Sequence, residues 1–396
     1  MAKAGFVCSG LETRAREEMC INVQPIQAGG RLTPEAMKAL ISYGDGYSVC
    51  DNCLKPFRLD KIARPPLVEF HADLAKFVGM DEARTVPGAR RGFQAVVSSL
   101  VGKGDSVVLL AVGHYTEFLA VEQVGGVPHE VPLNEKGIVT GDAVRETIER
   151  VKKKDGKPPA LLIFDHFDYT NANEHDIKGA VKAAKEFGVP VLYNGAYTVG
   201  IMPVDGKALG VDFVVGSGHK SMASPAPSGV LATTKEGAEK VFRTTKVETD
   251  VSKRRFGIKE VEMLGCTLMG ANIVAMMASL PALKERVRHW DREVKNSNYF
   301  VNEFLRIGGN KIVSELPRKH ALTKVDCAGS FDTVAQKHKA RGYFLTQELD
   351  ERGIVGIFPG ATRSFKMSTY GLSDAQVEYL AESFIDIAKK HGLCVT

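Results

Sequence analysis

A glycine-rich turn that carries Ser217, His219 and Lys220 holds the side chains of this sequence best suited to chemistry. The turn follows the apolar, β-branched run 211–215, which predicts a buried strand of a parallel sheet. Burial lowers the pKa of a lysine, so its neutral amine is available to form a Schiff base with an aldehyde. A hydroxyl, an imidazole and glycine-exposed N–H groups suit a phosphate. An aldehyde that carries a phosphate is pyridoxal 5′-phosphate (PLP), although a surface lysine on a glycine loop explains the same few residues.

A second glycine-rich turn, at 86–92, precedes a predicted helix at 93–101. A turn of this kind offers free N–H groups and the positive end of the helix dipole to an anion. Arg90 adds a fixed positive charge beside it. The turn therefore predicts an anion site, with a solvated pair of arginines, Arg90 and Arg91, as the alternative.

His114 and Asn194 lie where two further predicted strands, 105–112 and 189–193, come to an end. Ligands of open α/β sheets bind at the carboxyl ends of the strands. A histidine in such a place can stack on an aromatic ring. A single histidine is more often structural, so it is the position of His114 that favours a binding role.

Cys50 and Cys53 form a C-x-x-C pair near the start of the chain. In a protein of the cell interior, such a pair indicates redox chemistry, a metal or Fe–S site, or two cysteines without a special role. A second C-x-x-C would favour zinc, and the sequence contains none. The seven cysteines are an odd number in a long chain, which favours reactive or ligating thiols over a disulfide framework.

The elements that must position these residues alternate between strand and helix through the middle of the chain, which predicts an α/β fold with a mostly parallel sheet. A long apolar helix running from 264 to about 280 and an amphipathic helix at 283–307 then lead into a smaller α+β domain. We predict an N-terminal arm with the C-x-x-C pair over 1–55, a large domain over 56–265, and a linker helix with the small domain over 266–396.

The composition sets outer bounds on function. The 396 residues are 44% hydrophobic, which is ample for a packed core, and the net charge of +5 is compatible with an anionic substrate or RNA. No apolar run approaches the roughly 20 residues that cross a bilayer, and the first residues lack the apolar core of a signal peptide. We therefore expect a cytoplasmic protein with no membrane contact.

The order of these features resembles the fold-type I PLP enzymes, in particular the branch that contains the cysteine desulfurases. Within that branch the chain is most similar to the archaeal family that makes cysteine on tRNA from phosphoserine, and the similarity extends from Gly29 to Tyr370. The motifs that carry the resemblance are Gly218-His219-Lys220, Gly113-His114-Tyr115, Cys50-x-x-Cys53 and Leu264-Gly265-Cys266-Thr267. The combination of three cysteines is the most specific of them.

The resemblance implies a PLP-dependent transferase that converts O-phosphoseryl-tRNA(Cys) to cysteinyl-tRNA(Cys). Phosphate would leave by β-elimination, with Lys220 as the base, and sulfur would then add. The resemblance also implies that Cys50, Cys53 and Cys266 carry the sulfur, either as a persulfide or through a bound Fe–S cluster.

The resemblance assigns roles to further residues. The catalytic ones are Lys220, Cys50, Cys53 and Cys266. Those expected to bind PLP are Ala89, Arg90, Arg91, His114, Asn171, Asn173, Asn194, Ser217, His219 and Lys220, with an asparagine of the 169–173 loop reaching the ring hydroxyl. Those expected to bind the substrate are Tyr115, Arg254, Arg255 and Arg363. The three arginines are candidates for phosphate groups, because a guanidinium group matches phosphate geometry. The arginines of the 243–259 segment also fit a solvated loop.

One position departs from the superfamily. Most fold-type I enzymes place an aspartate, in a D-x-A pattern, against the pyridine nitrogen, whereas this chain has Asn194-Gly195-Ala196. An amide cannot hold the ring nitrogen protonated as a carboxylate does. We therefore expect a weaker electron sink, which is adequate for a leaving group as good as phosphate.

The resemblance further implies a homodimer and a partnership with phosphoseryl-tRNA synthetase, the enzyme that charges phosphoserine onto tRNA(Cys). One alternative is a cysteine desulfurase or selenocysteine lyase, for which Cys327 is the candidate nucleophile in the C-terminal half. Another is a tRNA-binding or Fe–S protein that kept the fold without PLP. Lys220, accompanied by Ser217 and His219, argues against the latter.

Overall fold

The structure is a computed structural model that describes residues 19–44, 48–50, 55–57, 66–257, 260–263 and 268–396, with the backbone alone at 48–50, 55–57 and 268. Packing divides the described residues into two units. The larger unit comprises the described residues of 29–169 and 174–290, and the smaller unit comprises those of 19–28, 170–173 and 291–396. The domain bounds predicted at 55 and 265 stay a prediction.

The strands are short, and most of them belong to the larger unit. In chain order they are β1 (Ile21–Asn22), β2 (Ser48–Cys50), β3 (Lys55–Phe57), β4 (Glu82–Val86), β5 (Ser106–Leu110), β6 (Val127–Val131), β7 (Leu161–Asp165), β8 (Val191–Asn194), β9 (Phe213–Ser217), β10 (Gly229–Thr233), β11 (Leu268–Met269), β12 (Lys311–Ile312), β13 (Leu322–Asp326), β14 (Ile354–Val355) and β15 (Ser364–Ser368).

The helices alternate with these strands through the larger unit. In chain order they are α1 (Pro34–Ser42), α2 (Leu67–Phe77), α3 (Ala89–Leu100), α4 (Tyr115–Gln123), α5 (Gly141–Asp155), α6 (Ile177–Glu186), α7 (Gly206–Leu209), α8 (Gly218–Ser221), α9 (Lys235–Val241), α10 (Gly270–Arg286), α11 (Trp290–Leu305), α12 (Phe331–Ala335), α13 (Tyr343–Glu351) and α14 (Asp374–Lys390). A 3₁₀ turn, Val287–His289, joins α10 to α11.

The main sheet of the larger unit has the strand order β4-β10-β9-β8-β7-β5-β6. The pairs β9–β8, β8–β7, β7–β5 and β5–β6 are parallel, whereas β10 is antiparallel to both of its neighbours. The mostly parallel sheet predicted from the sequence is therefore observed. The parallel strands end at one edge of the sheet, where the chain continues into the loops and helices that carry the candidate site.

The two faces of this sheet are both covered by apolar side chains. Val108 and Leu110 of β5 pack in one buried cluster, while Val107 and Leu109 pack in another. This burial on both faces explains why the interior strands read as continuous apolar runs.

Helix α3 begins at Ala89, four residues before the start predicted from the sequence, so part of the expected turn is helical. Gly88 lies in the short turn before the helix, in the positive-φ region at +91° that favours glycine. Gly92 does not break the helix; a Cβ there would lie 2.9 Å from a Val215 methyl, so its small size allows α3 to approach β9 closely.

Helix α10 continues through Pro281 to Arg286, so the boundary predicted near 281–282 is wrong. The break falls instead at the 3₁₀ turn 287–289. Helix α10 belongs to the larger unit, and α11 begins the main part of the smaller unit.

The smaller unit is built on two short sheets, β12-β13-β15 and β1-β14. Its core is rich in aromatic rings, with Phe384 in contact with Phe300, Phe304 and Phe331 at centroid distances of 5.2–5.9 Å. The unit thus has a hydrophobic core of its own, as expected for a separate α+β domain. Among the described residues of both units, no helix has the length and apolarity needed to cross a bilayer.

Candidate active site

A cavity of about 310 Å³ lies where β7, β8 and β9 end and α3 and α4 begin. It brings together residues that are far apart in sequence. Among those predicted to act in the site, the cavity is lined by Ala89, Arg90, His114, Tyr115, Asn194, Ser217, His219 and Lys220.

Lys220 lies in the single helical turn α8, directly after β9. Its Nζ lies 4.9 Å from the centre of the Tyr197 ring, which lines the same cavity. His219 precedes it, and burial followed by the nearby Lys220 charge lowers the pKa of this histidine. The imidazole is therefore biased toward its neutral form, which can accept as well as donate a hydrogen bond.

Ser217 and the start of α3 form the part of the cavity suited to a phosphate. The Ser217 side chain is buried, and its Oγ has no hydrogen-bond partner in the structure. The N-cap Gly88 has no side chain to satisfy the first N–H groups of α3, and both it and Arg90 line the cavity. Burying a hydroxyl without a hydrogen-bond partner costs free energy. An anion bound here would accept a hydrogen bond from Ser217 Oγ and remove that cost.

His114 caps helix α4 and presents a ring to the cavity. Its Nδ1 accepts a hydrogen bond from the Thr116 N–H at 3.3 Å and lies 2.8 Å from the Thr116 hydroxyl. The ring centroid lies 4.5 Å from that of Tyr115 and 4.8 Å from that of Tyr169. These contacts fix the orientation of a flat surface on which an aromatic ligand can stack.

The cavity also contains a carboxylate that the sequence analysis did not identify. Asp165 ends β7 and is 2% exposed, and its Oδ1 accepts a hydrogen bond from Asn194 Nδ2 at 2.7 Å. The same Nδ2 donates to Oε1 of Glu117, from helix α4, at 2.6 Å. A charged residue that closes the apolar run LLIFD was the signal available in the sequence.

Asn171 and Asn173, which were predicted to bind PLP, belong to the smaller unit. Oδ1 of Asn173 accepts a hydrogen bond from the backbone N–H of Glu315 at 2.8 Å. Oδ1 of Asn171 lies 3.2 Å from Lys324 Nζ. Arg363 is an exposed residue of the same unit, directly before β15.

Three other predicted arginine side chains contact groups of the larger unit. Arg91 Nη2 donates to the backbone carbonyl of Glu262. Arg254 lies over the Phe256 ring at 5.0 Å, and Arg255 pairs with Glu248. Arg254 and Arg255 are exposed, which leaves them accessible to a large anionic partner.

Of the three predicted sulfur-carrying cysteines, Cys53 and Cys266 lie outside the described residues, and Cys50 is described only through its backbone in β2. The alternative nucleophile, Cys327, is fully buried in the core of the smaller unit. Burial raises the pKa of this thiol to about 12. A buried thiol that stays protonated is a poor nucleophile, which argues against the desulfurase alternative.

Comparison with known proteins places these features in a family. Residues 60–340 match the Aminotransferase class-V family, in agreement with the fold class predicted from the sequence. The O-phospho-L-seryl-tRNA:Cys-tRNA synthase 1 of Methanococcoides burtonii is 66% identical over 387 residues, which cover 98% of this chain and 84% of that protein. The O-phospho-L-seryl-tRNA:Cys-tRNA synthase 2 of Methanoregula boonei is 63% identical over 394 residues, covering 100% of this chain and 87% of that protein. A chain in the solved complex of SepCysS with the N-terminal domain of SepCysE is 40% identical, with a TM-score of 0.86 over 98% of this chain and 100% of that chain.

Proposed function

Because this chain belongs to the O-phospho-L-seryl-tRNA:Cys-tRNA synthase family, within the class-V aminotransferases, we propose that it converts O-phosphoseryl-tRNA(Cys) to cysteinyl-tRNA(Cys). The observation that carries the proposal is the cavity in which Lys220, His114 and the unpartnered Ser217 hydroxyl meet. PLP requires an amine to bind its aldehyde, a flat ring to stack on its pyridine, and buried hydrogen-bond donors for its phosphate.

In the overall reaction, the bond between the β-carbon of phosphoserine and its phosphate oxygen breaks, and a bond between that carbon and sulfur forms. Phosphate leaves with the electron pair of the broken bond, and sulfur enters at the oxidation level of sulfide, so there is no net redox change. PLP, when bound, would supply the electron-accepting ring that this elimination requires.

The residues of the cavity have distinct tasks in this scheme. Lys220 Nζ would hold the cofactor and then take the proton from the α-carbon. The His114 ring would cover one face of the pyridine, and its hydrogen bonds to Thr116 keep the imidazole in place. Ser217 Oγ and the first N–H groups of α3 would bind the cofactor phosphate, and the His219 imidazole lines the same cavity.

We infer that the substrate enters over Tyr115, which lines the cavity and is 59% exposed. The exposed guanidinium groups of Arg254, Arg255 and Arg363 are suited to phosphates of the tRNA, because arginine binds phosphate through parallel hydrogen bonds. Such contacts position the tRNA without reading its sequence.

The sulfur step is assigned to Cys50, Cys53 and Cys266, through an Fe–S cluster or as a persulfide. A cluster would supply sulfur at the sulfide level. A persulfide would bond to the β-carbon through its outer sulfur and be released when a second of these thiols forms a disulfide with the first, which an external thiol reductant would then reopen. Cys50 ends β2, which pairs with β11 through Val49 opposite Leu268. Iron analysis of protein purified without oxygen separates the two chemistries.

We further propose that the enzyme works in the cytoplasm as a homodimer and receives its substrate from phosphoseryl-tRNA synthetase. The solved relative in complex with the N-terminal domain of SepCysE supports an additional contact with a protein of that kind. Light scattering and co-purification with each candidate partner test these assemblies.

The decisive experiment supplies purified protein, PLP and sulfide, without oxygen, with either phosphoseryl-tRNA(Cys) or free cysteine. We expect cysteinyl-tRNA and phosphate from the former, and neither alanine nor persulfide from the latter. Alanine formed from free cysteine would instead establish the desulfurase alternative.

Two variants control this experiment. Lys220→Ala should abolish both the visible absorbance of bound PLP and the formation of cysteinyl-tRNA. Lys235→Ala changes an exposed lysine at the start of helix α9 and should leave both unchanged. Full activity in Lys220→Ala would overturn the assignment of the site.

A further inference from the structure

Three buried polar side chains meet at the carboxyl edge of the main sheet. Glu117 comes from α4, Asp165 from the end of β7 and Asn194 from the end of β8, and they are 0%, 2% and 6% exposed. Strands β7 and β8 are parallel neighbours that pair Asp165 directly with Asn194. The relative positions of Asp165 and Asn194 are therefore fixed by the pairing of two strands and not by a surface loop.

The hydrogen bonds of Asn194 fix its orientation. Its Nδ2 donates to Glu117 Oε1 at 2.6 Å and to Asp165 Oδ1 at 2.7 Å, while its Oδ1 accepts from the Ala196 N–H at 3.0 Å. An amide nitrogen has two hydrogens, so both are engaged by the carboxyl groups. Asn194 thus bridges two carboxyl groups and has no further hydrogen to donate to a ligand.

Each carboxyl group has a second buried oxygen that no N–H or hydroxyl group reaches, Oε2 of Glu117 and Oδ2 of Asp165. The two carboxyl groups lie within hydrogen-bonding reach of each other, so a proton on one can be shared with the other. A buried carboxylate oxygen in this state is costly unless it meets a proton or a donor. Of the two residues, Asp165 lines the cavity of Lys220 and His114. A ligand in the cavity therefore lies against Asp165.

Ionisation of both carboxyl groups at the same time is unfavourable. Burial, reinforced by the Asp165 charge, raises the pKa of Glu117 well above its usual value. Burial and the nearby Asp168 charge raise the pKa of Asp165 to about 7. The pair therefore favours holding one proton, and Asp165, which lines the cavity, is the member that a cationic donor in the cavity can stabilise in its ionised form.

We propose that Asp165 is a further catalytic residue, whose Oδ2 accepts a hydrogen bond from the protonated ring nitrogen of bound PLP, with Asn194 and Glu117 as positioning residues. The inference rests on the proposed use of PLP. The negative charge that faces the ring nitrogen would then come from the end of β7. In most fold-type I enzymes it comes from the position that Asn194 occupies here, at the end of β8. The amide at 194 then orients the carboxylate instead of weakening the electron sink.

The test uses PLP labelled with ¹⁵N at its ring nitrogen and bound to the full-length protein, without tRNA. The ¹⁵N resonance reports directly whether the nitrogen carries a proton. We expect a protonated nitrogen in the wild type and in Glu117→Gln, and a neutral one in Asp165→Asn. Loss of a charged hydrogen bond should also weaken PLP binding by about tenfold in Asp165→Asn.

The double variant Asp165→Asn with Asn194→Asp exchanges the carboxylate and the amide between neighbouring strands and should restore the protonated resonance. A neutral nitrogen in the wild-type complex overturns the inference without recourse to any variant. An unchanged protonated resonance in Asp165→Asn overturns it as well, although the proposed function would stand. Failure of the wild type to bind PLP would instead contradict the proposed function itself.

Discussion

Lys220 Nζ lies 4.9 Å from the centre of the Tyr197 ring, within the range of a cation–π interaction. Both residues line the candidate active site. Burial raises the pKa of the Tyr197 phenol to about 12, so the ring stays neutral at physiological pH. The ring therefore stabilises the charged form of the amine without itself contributing a charge.

Replacing Tyr197 with leucine should accelerate the capture of PLP by Lys220. A cation–π contact is worth about 0.5–1 kcal/mol, and only the uncharged amine attacks the aldehyde, so removal of the ring favours the reactive form. We expect a rate increase of about two- to fivefold near neutral pH, measured by stopped-flow absorbance after PLP is added. Tyr197→Phe keeps the ring and should capture PLP at the wild-type rate. Slower capture in Tyr197→Leu would contradict this account of the contact.

Alanine at Cys50, Cys53 or Cys266 should reduce cysteinyl-tRNA formation by at least tenfold and leave the visible absorbance of bound PLP unchanged. The reason is that these thiols are assigned to sulfur delivery, which follows the elimination of phosphate. Phosphate release measured beside cysteinyl-tRNA should therefore persist in the variants.

Cys327 and Cys394 provide the controls for this prediction. Cys394 is exposed near the end of the chain, and Cys327 is buried with a raised pKa. Alanine at either position should keep sulfur transfer intact. A loss of sulfur transfer confined to Cys327→Ala would favour the desulfurase-like alternative.

His71 should make the protein sensitive to moderate acid. Its side chain is buried against Thr85, and burial together with the Arg84 charge lowers its pKa to about 3. The unfolded chain binds a proton near pH 6.5, so below that value the unfolded state holds more protons than the native state. The free energy of unfolding therefore falls as the pH decreases from 6.5 toward 3, by up to about 1.4 kcal/mol per pH unit.

Urea denaturation of the wild type and of His71→Gln at pH 6.5 and 4.5 measures this contribution. Glutamine keeps an acceptor for Thr85 but does not titrate. We expect the wild type to lose about 2–3 kcal/mol more than the variant between the two pH values. Equal losses would show that His71 does not govern the acid sensitivity.

The sequence predicts residues of the cavity best where a polar side chain follows an apolar strand. Lys220, Ser217 and His114 follow such strands and line one cavity, because the carboxyl ends of parallel strands share one edge of the sheet. Asp165 also ends such a strand, but its role depends on β7 lying beside β8, and strand order is not visible in a linear pattern.

Elements that depend on tertiary contacts are the hardest to predict from the sequence. Helix α3 includes Gly92 because the absence of a side chain there allows contact with Val215, a residue more than a hundred positions away. Strand β4 lies at the edge of the main sheet with a charged sequence, EARTV, and has no counterpart among the predicted elements. Both cases depend on partners distant in the chain, which local propensity does not encode.

Arg318 is a buried cation that organises the smaller unit. It is 1% exposed, and its guanidinium donates to the backbone carbonyls of Glu315 at 2.9 Å, Ala172 at 2.8 Å and Leu322 at 2.6 Å. These contacts join the short segment 170–173 to the strand region of that unit. Without the guanidinium, three backbone acceptors would lose the partner that the fold provides.

Arg318→Ala should therefore lower the free energy of unfolding by about 3–5 kcal/mol, because each buried group left without a partner costs about 1–3 kcal/mol. Arg318→Lys should recover only part of this loss, since an ammonium group cannot reproduce the planar fork of donors. Arg306→Ala is the matched control: its side chain is 46% exposed and paired with Glu303, so its loss should cost less than about 1 kcal/mol. Chemical denaturation followed by circular dichroism measures all three variants. A cost for Arg318→Ala no greater than that for Arg306→Ala would show that the three carbonyls find water or other donors when the guanidinium is absent.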